Sequence, residues 1–247
     1  MKILVCVSKT PDTTTKISFT DNNTKFDTNN VQYIINPYDE WYALVRAIEL
    51  KETNGGTVTT ITVGQAEDEA VAIRKALAIG ADDAVRINSE AKDAYNVAYQ
   101  IAEYAKANNF DVVFTGKETI DYNGSQVGGM IAEMLGVPFV SYASKLDKEG
   151  VEFLIERDIE GGKEVIKTSI PVVVSSAKGL AEQRIPNMRG IMQARMKPLK
   201  VVEPVECDDL TTVVSYEMPT EKTSCKMVDS ENVGELVNLL KNEAKVI

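Results

Sequence analysis

Apolar positions in this chain follow two alternating rhythms. Lys2–Ser8, Thr57–Val63, Ala84–Ile87, Asp111–Thr115 and Pro171–Ser175 are short, nearly continuous apolar runs rich in β-branched residues. Runs of that length read as strands covered on both faces. Between them the apolar residues recur at helical spacing. From Asp39, Trp41, Leu44, Val45, Ile48 and Leu50 share a phase that Gly55-Gly56 stops; in Glu67–Ile79, Ala70, Ile73 and Leu77 share a face, and Gly80 closes the segment. Val97, Ile101 and Tyr104 mark a helix over Ala94–Ala107, and a further one is predicted over Gly124–Leu135. Strand and helix in alternation predict an α/β fold, an open parallel sheet with crossover helices.

The remaining segments break that rhythm. Thr10–Asn30 is polar and reads as an excursion with one short hairpin around Asp21–Thr24, followed by a short strand in Val31–Ile35. After Pro138, Ala143–Leu146, Val151–Arg157 and Lys163–Ser169 are strand-like, with a turn at Glu160-Gly161-Gly162, and predict a small antiparallel addition. From about Val201 the chain is polar and irregular until an amphipathic helix at Ser230–Ala244, with Val233, Leu236, Leu239 and Leu240 on one face. The expected division is a main domain at 1–200 and a C-terminal arm at 201–247. The arm reads equally as packing on another subunit or folding back on its own domain.

Charge and composition narrow the function. The 247 residues carry a net charge of −10, which argues against nucleic-acid binding. The chain has no histidine, so Ser-His-Asp, Cys-His and His-based metal chemistry are excluded. Cys6, Cys207 and Cys225 are far apart and predict neither a disulfide framework nor a zinc site. A reducing cytoplasm suits them. The opening MKILVCVSKT meets Lys9 and Pro11 at once and reads as a core strand, and no run is long enough to span a membrane.

Ligands of open parallel sheets bind beyond the carboxyl ends of the strands. Four segments converge there: Cys6–Lys9; Asn36, Pro37, Tyr38 and Asp39; Val63-Gly64-Gln65; and Gly116–Gly129. The fourth is richest in chemistry. It runs Gly116, Lys117, Glu118, Thr119, Ile120, Asp121, Tyr122, Asn123, Gly124, Ser125, Gln126, Val127, then Gly128-Gly129. Gly124 would admit a ligand close to the backbone, Ser125 would cap the helix or bond an anion, and the helix N-terminus would favour a phosphate. Asp121 would accept from a ribose hydroxyl, and Gly128 and Gly129 would let the helix lie close to the sheet. The segment is neither a Walker A loop nor GxGxxG, and it also reads as a glycine-containing N-cap with no ligand. Asp39 reads as a helix cap, as a ligand contact, or as both.

The segment 184–200, RIPNMRGIMQARMKPLK, reverses the chain's charge. It holds Arg184, Arg189, Arg195, Lys197 and Lys200 with Met188, Ile191, Met192 and Met196 interleaved and no acidic residue. It reads as a solvated basic turn or as a docking surface for an acidic partner.

Taken in order, these segments resemble the electron-transfer flavoprotein beta subunit. The resemblance rests on IERDIEGGKEVIKTSIPVVVSS at 155–176, on Asn36-Pro37 with Asp39, on ALAIGAD at 76–82, and on Gly116–Gly129. It implies a Rossmann-like, adenine-nucleotide alpha-hydrolase-like fold in a heterodimer whose alpha subunit holds most of an FAD. It further implies structural AMP bound by Cys6, Asn36 to Asp39, Val63 and Gly116 to Val127. Arg157 resembles an arginine near the subunit interface and flavin. Arg184, Met188, Arg189, Ile191 and Met192 fall in the loop that recognises acyl-CoA dehydrogenases and related partners, with Met188 in place of the family's leucine. Electrons would pass on to a quinone oxidoreductase, as in fatty acid oxidation, and the chain would have no catalytic residue. Thr13 stands where mitochondrial-type members have tyrosine. A bifurcating relative with a second FAD in the AMP position is the alternative within the family. A stand-alone adenine-nucleotide hydrolase or nucleotide-binding homodimer is the rival outside it.

Overall fold

The computed structural model describes residues 1–66, 68–221 and 225–247. The first strand, β1 (Lys2–Cys6), is followed by a polar excursion of short strands: β2 (Lys9–Pro11), β3 (Phe19–Thr20), β4 (Lys25–Phe26) and β5 (Tyr33–Ile35). Next come helix α1 (Asp39–Asn54), β6 (Thr57–Gly64), a π-type turn at Glu69–Ile73 leading into α2 (Arg74–Ile79), β7 (Asp83–Asn88) and α3 (Ala94–Asn108). Then follow β8 (Val112–Gly116), α4 (Val127–Leu135), β9 (Phe139–Glu149), β10 (Glu152–Ile159), β11 (Gly162–Ser169) and β12 (Val172–Ser176). The chain closes with α5 (Met188–Ala194), β13 (Leu199–Val202), α6 (Val233–Asn238) and a last π-type turn, Leu239–Ala244.

Nine strands form one sheet in the order β11-β10-β9-β12-β8-β1-β6-β7-β13. From β9 through to β13 every pairing is parallel, whereas β10 and β11 are antiparallel at the far edge. The α/β class and the antiparallel addition are therefore as the sequence predicts.

Two hydrophobic clusters cover the two faces of the sheet. Ile3 and Val5 of β1 pack with Leu44 and Ile48 of α1 and Leu77 of α2. Leu4 and Cys6, pointing the other way by the two-residue strand period, pack with Ile101 of α3 and Ile131 of α4. Gly128 keeps α4 tight against the sheet, because a Cβ there would lie 2.7 Å from Thr115 Oγ1 and 3.0 Å from the Phe139 ring. At Gly129 the added atom would sit at an ordinary 3.5 Å, so only the first of the glycine pair sets the approach.

Several boundaries move. Helix α4 begins at Val127, not at Gly124, because Asn123 (φ 49°) and Ser125 (φ 52°) turn into the left-handed region and hold residues 117–126 as a loop. The predicted helix over Glu67–Ile79 divides into the π-type turn and α2; Glu67 itself lies outside the described residues. The strand expected at Ala143–Leu146 extends over all eleven residues of β9. The hairpin at 21–24 is present, with Asp21, Asn22 and Asn23 all at positive φ between β3 and β4. Sequence pattern missed β2, which pairs with β5, and also α5 and β13; the last extends the sheet edge beside β7.

The arm follows its own domain and then leaves it. Gln100 exchanges two hydrogen bonds with Val205 (2.6 and 2.8 Å), Lys92 pairs with Asp209, and Tyr216 stacks on Phe19 with centroids 4.7 Å apart. Beyond that point α6, which starts three residues later than the predicted Ser230, buries none of its side chains.

Candidate functional site

A crevice opens where the topology reverses. From β1 the chain runs outward through β6 to β7, then returns to place β8 on the other side of β1. The chain leaving β1 reaches α1 on one face, and the chain leaving β8 reaches α4 on the other. The two exits diverge, and the space between them is the expected ligand position of an open sheet.

Asn36 ties the exits together from a fully buried position. Its backbone N–H donates to Ser8 O (2.8 Å). Its side-chain Nδ2 donates to Glu118 O, and Ile120 N donates to its Oδ1, both at 3.2 Å. One amide therefore joins the exit of β1, the turn before α1 and the loop after β8. Glu40, in the first turn of α1, adds a second tie: Ser8 N donates to its Oε2 (2.7 Å) and Ser8 Oγ to its Oε1 (2.8 Å). Burial pushes the Glu40 carboxyl up to about 8, against the hydrogen bonds from Ser8. Gly116 makes room for this helix start, since a Cβ there would lie 2.8 Å from Glu40 Cγ.

Above these ties lies a cavity of about 290 Å³, lined by Pro37, Tyr38, Asp39, Tyr42, Lys117, Glu118, Ile120, Asn123 and Lys178. Tyr38 holds a strained backbone (φ 65°, ψ −101°) and is exposed at its rim. Lys117 pairs with Glu118 (2.8 Å) and lies over the Tyr142 ring. Burial, opposed by Lys117, holds the Asp39 carboxyl above its usual range.

Helices α1 and α4, which open on this crevice, have N-caps at Tyr38 and Gln126, and neither cap makes a side-chain hydrogen bond. Helices α3, α5 and α6 are capped by the side chains of Asp93, Asn187 and Asn232. The Asp39 and Ser125 caps expected from sequence are therefore not formed: Asp39 is already inside α1, and Ser125 Oγ donates to Glu118 Oε2 (3.2 Å). First-turn N–H groups without a side-chain acceptor suit an anion.

The structure brings together two of the four predicted segments, 36–39 and 116–123, around this cavity. Cys6 and Val63 do not line it: Cys6 is buried at the end of β1, where burial pushes its thiol up, and Val63 packs beside it. Thr119, Asp121, Tyr122, Gly124, Ser125, Gln126 and Val127 belong to the same loop and helix start but lie outside the lining. A Cβ on Gly124 would meet open space, so nothing in the chain crowds that position. Tyr42 and Lys178 line the cavity and were not singled out by sequence. Tyr42 follows Tyr38 by one helical turn, and Lys178 lies just past the end of β12, another strand exit at the same end of the sheet.

The basic segment is partly consumed internally. Arg184 makes a two-pronged pair with Glu52 of α1 (2.8 and 2.9 Å), and Trp41 Nε1 donates to its carbonyl. Lys197 Nζ donates to Leu77 O (2.9 Å) and Ala81 O at the end of α2, and burial lowers its pKa. Arg74 Nη1 in turn donates to Ala194 O (2.8 Å). Met188, Arg189, Ile191, Met192 and Arg195 are left exposed on α5 and the turn after it. Arg157 donates to Ser141 Oγ (2.8 Å) and pairs with Glu164 on the antiparallel edge.

The family described as "Electron transfer flavoprotein domain" matches residues 23–206. The chain is 39% identical to Electron transfer flavoprotein subunit beta of Bacillus subtilis over 262 aligned positions, covering 100% of both chains. The chain belongs to the electron transfer flavoprotein beta subunits. The corresponding beta subunit of Syntrophomonas wolfei is 34% identical, with 100% of this chain and 98% of the relative covered. Protein FixA of Azotobacter vinelandii is 35% identical over 81% of this chain and 74% of its own length. For this beta subunit, the family places electron transfer and flavoprotein chemistry at the centre of the function. Among the described residues no helix is long and apolar enough to cross a membrane.

Proposed function

We propose that this beta subunit pairs with an FAD-bearing alpha subunit, holds AMP in the crevice between β1 and β8, and carries electrons without turning over a substrate of its own. The observation that carries the reading is the Asn36 bridge, which fixes the 36–39 turn against the 116–126 loop beside two helix starts that lack side-chain caps.

The residues present fit an adenosine monophosphate. Lys117, Lys178 and the first-turn N–H groups of α4 provide positive charge and donors for a phosphate. Asp39 and Asn123 are the lining polar groups suited to ribose hydroxyls, and Tyr38, Tyr42 and Ile120 offer apolar surface to a base. The bound FAD would supply the redox chemistry. The roles of this chain are then to cover the flavin-bearing subunit, to be stabilised by its nucleotide, and to present a docking surface.

Met188, Arg189, Ile191 and Met192, with Arg184 holding the segment's start, form that surface for flavin dehydrogenases such as acyl-CoA dehydrogenases. A quinone oxidoreductase receives the electrons afterwards. The exposed face of α6 and the arm before it pack on the alpha subunit, and the whole assembly works in the cytoplasm. Co-expression with the flavin-binding alpha subunit of the native host tests the reading. One FAD per heterodimer, reduced by an acyl-CoA dehydrogenase with its substrate, is expected; a self-sufficient chain that hydrolyses ATP would contradict it.

A further inference from the structure

Three methionines stand four residues apart on the docking segment: Met188 and Met192 on successive turns of α5, and Met196 in the turn that Gln193 O closes after the helix. Their exposures are 73%, 68% and 87%, unusually high for an apolar side chain. Met192 and Met196 border one shallow depression of about 470 Å³ with Gln193, Lys197 and Pro198. The backbone that presents them is fixed. Asn187 caps the helix, Gly190 lies against α2 where a Cβ would approach Ala78 O to 2.5 Å, and Lys197 and Arg74 lock the following turn. The thioethers are therefore held out to solvent by a rigid seat, which an unordered tail would not provide.

We infer that Met188, Met192 and Met196 form a methionine-oxidation site through which hydroperoxides reversibly switch off docking. The inference rests on the docking role proposed above for the same segment. A thioether sulfur attacks the terminal oxygen of a hydroperoxide. The S–O bond forms as the O–O bond breaks, the proton passes to the leaving oxygen, and water or an alcohol departs. Sulfur loses two electrons and the peroxide gains them. The product is a sulfoxide, polar and chiral, where the surface was apolar and adaptable. Because the change occurs on the exposed side of a helix seated elsewhere, the fold is kept while the contact face is altered. Arg189 and Arg195 remain charged throughout, so the switch acts on apolar contact and not on electrostatic attraction.

The test treats the purified heterodimer with hydrogen peroxide, maps sulfoxides by peptide mass spectrometry, and measures flavin reduction by an acyl-CoA dehydrogenase of the native host. Met130 and Met134, partly buried against the core, serve as internal references that should oxidise least. The expected result is sulfoxide at 188, 192 and 196 with a fall in transfer of roughly five- to tenfold, as for loss of an apolar anchor. Methionine sulfoxide reductases should restore the rate. The variant Met188→Leu/Met192→Leu/Met196→Leu, compared with its own untreated rate, should lose little on peroxide treatment. An equal loss in that variant, or undiminished transfer by protein shown to carry all three sulfoxides, overturns the inference. The variant Met192→Glu separates the two readings: if it too transfers at the wild-type rate, the docking role fails, whereas if it is slow and the sulfoxide form is not, only the oxidation switch fails.

Discussion

Ile120 N donates to Asn36 Oδ1 at 3.2 Å across 84 residues of sequence, and Asn36 Nδ2 answers with Glu118 O. A single buried amide thus bridges the two sides of the crevice. Asn36→Ala should cost about 1–3 kcal/mol, the penalty for leaving buried polar groups unpaired. Thermal denaturation checks the stability loss, and nucleotide content of the purified complex checks the accompanying loosening of the 116–126 loop.

Two glycines in one stretch should respond in opposite ways. Gly128→Ala drives a Cβ against Thr115 Oγ1 and Phe139, so it should destabilise by roughly 1–3 kcal/mol as overpacking does. Gly124→Ala meets open space and should leave the melting temperature unchanged while weakening nucleotide retention, if backbone proximity to a phosphate is its role. Melting curves with and without added AMP distinguish the pair.

Glu40 gives the fold a pH signature. Its folded pKa of about 8 lies above the ordinary carboxylate value of 4.5, so the folded state holds the proton more tightly than the unfolded one. That contribution is complete below pH 4.5 and declines as pH rises through about 8. Glu40→Gln, which keeps an oxygen for Ser8 N, should flatten the decline. Urea midpoints measured between pH 5 and pH 9 check it; a wild-type curve rising over that interval, or the same slope in the variant, would contradict it.

The exposed cations of the docking segment should make electron transfer salt-sensitive. Arg184 is occupied by Glu52 in an exposed pair worth at most about 1 kcal/mol. Arg189 is exposed on α5, and Arg189→Glu should slow transfer several-fold at low ionic strength and little at high salt. Stopped-flow reduction at two salt concentrations measures this.

The sheet was legible because its strands and crossover helices are long enough to show their periods: β1, β6 and β8 read as apolar runs, and Leu44, Ile48, Leu77 and Ile101 as helix faces. The loop before α4 was not, since Asn123 and Ser125 adopt positive φ while the Gly124 between them does not. Helix α5 is seven residues long and buries only Ala194, too little for a helical stripe to appear. At the site, local composition pointed to 36–39 and 116–127, but the Asn36 bridge joins residues more than 80 apart and leaves no local signal. Lys178 was passed over because a lone lysine after a strand carries no pattern; only the position of β12 beside β8 brings it to the cavity.

The crevice between β1 and β8 as an adenine-nucleotide site is tested most directly by denaturing the purified heterodimer and separating what it releases. One FAD and one AMP per complex is the predicted result. Two FAD would replace the simple carrier with a bifurcating one, and release of no adenine nucleotide beyond a single FAD would contradict the site itself.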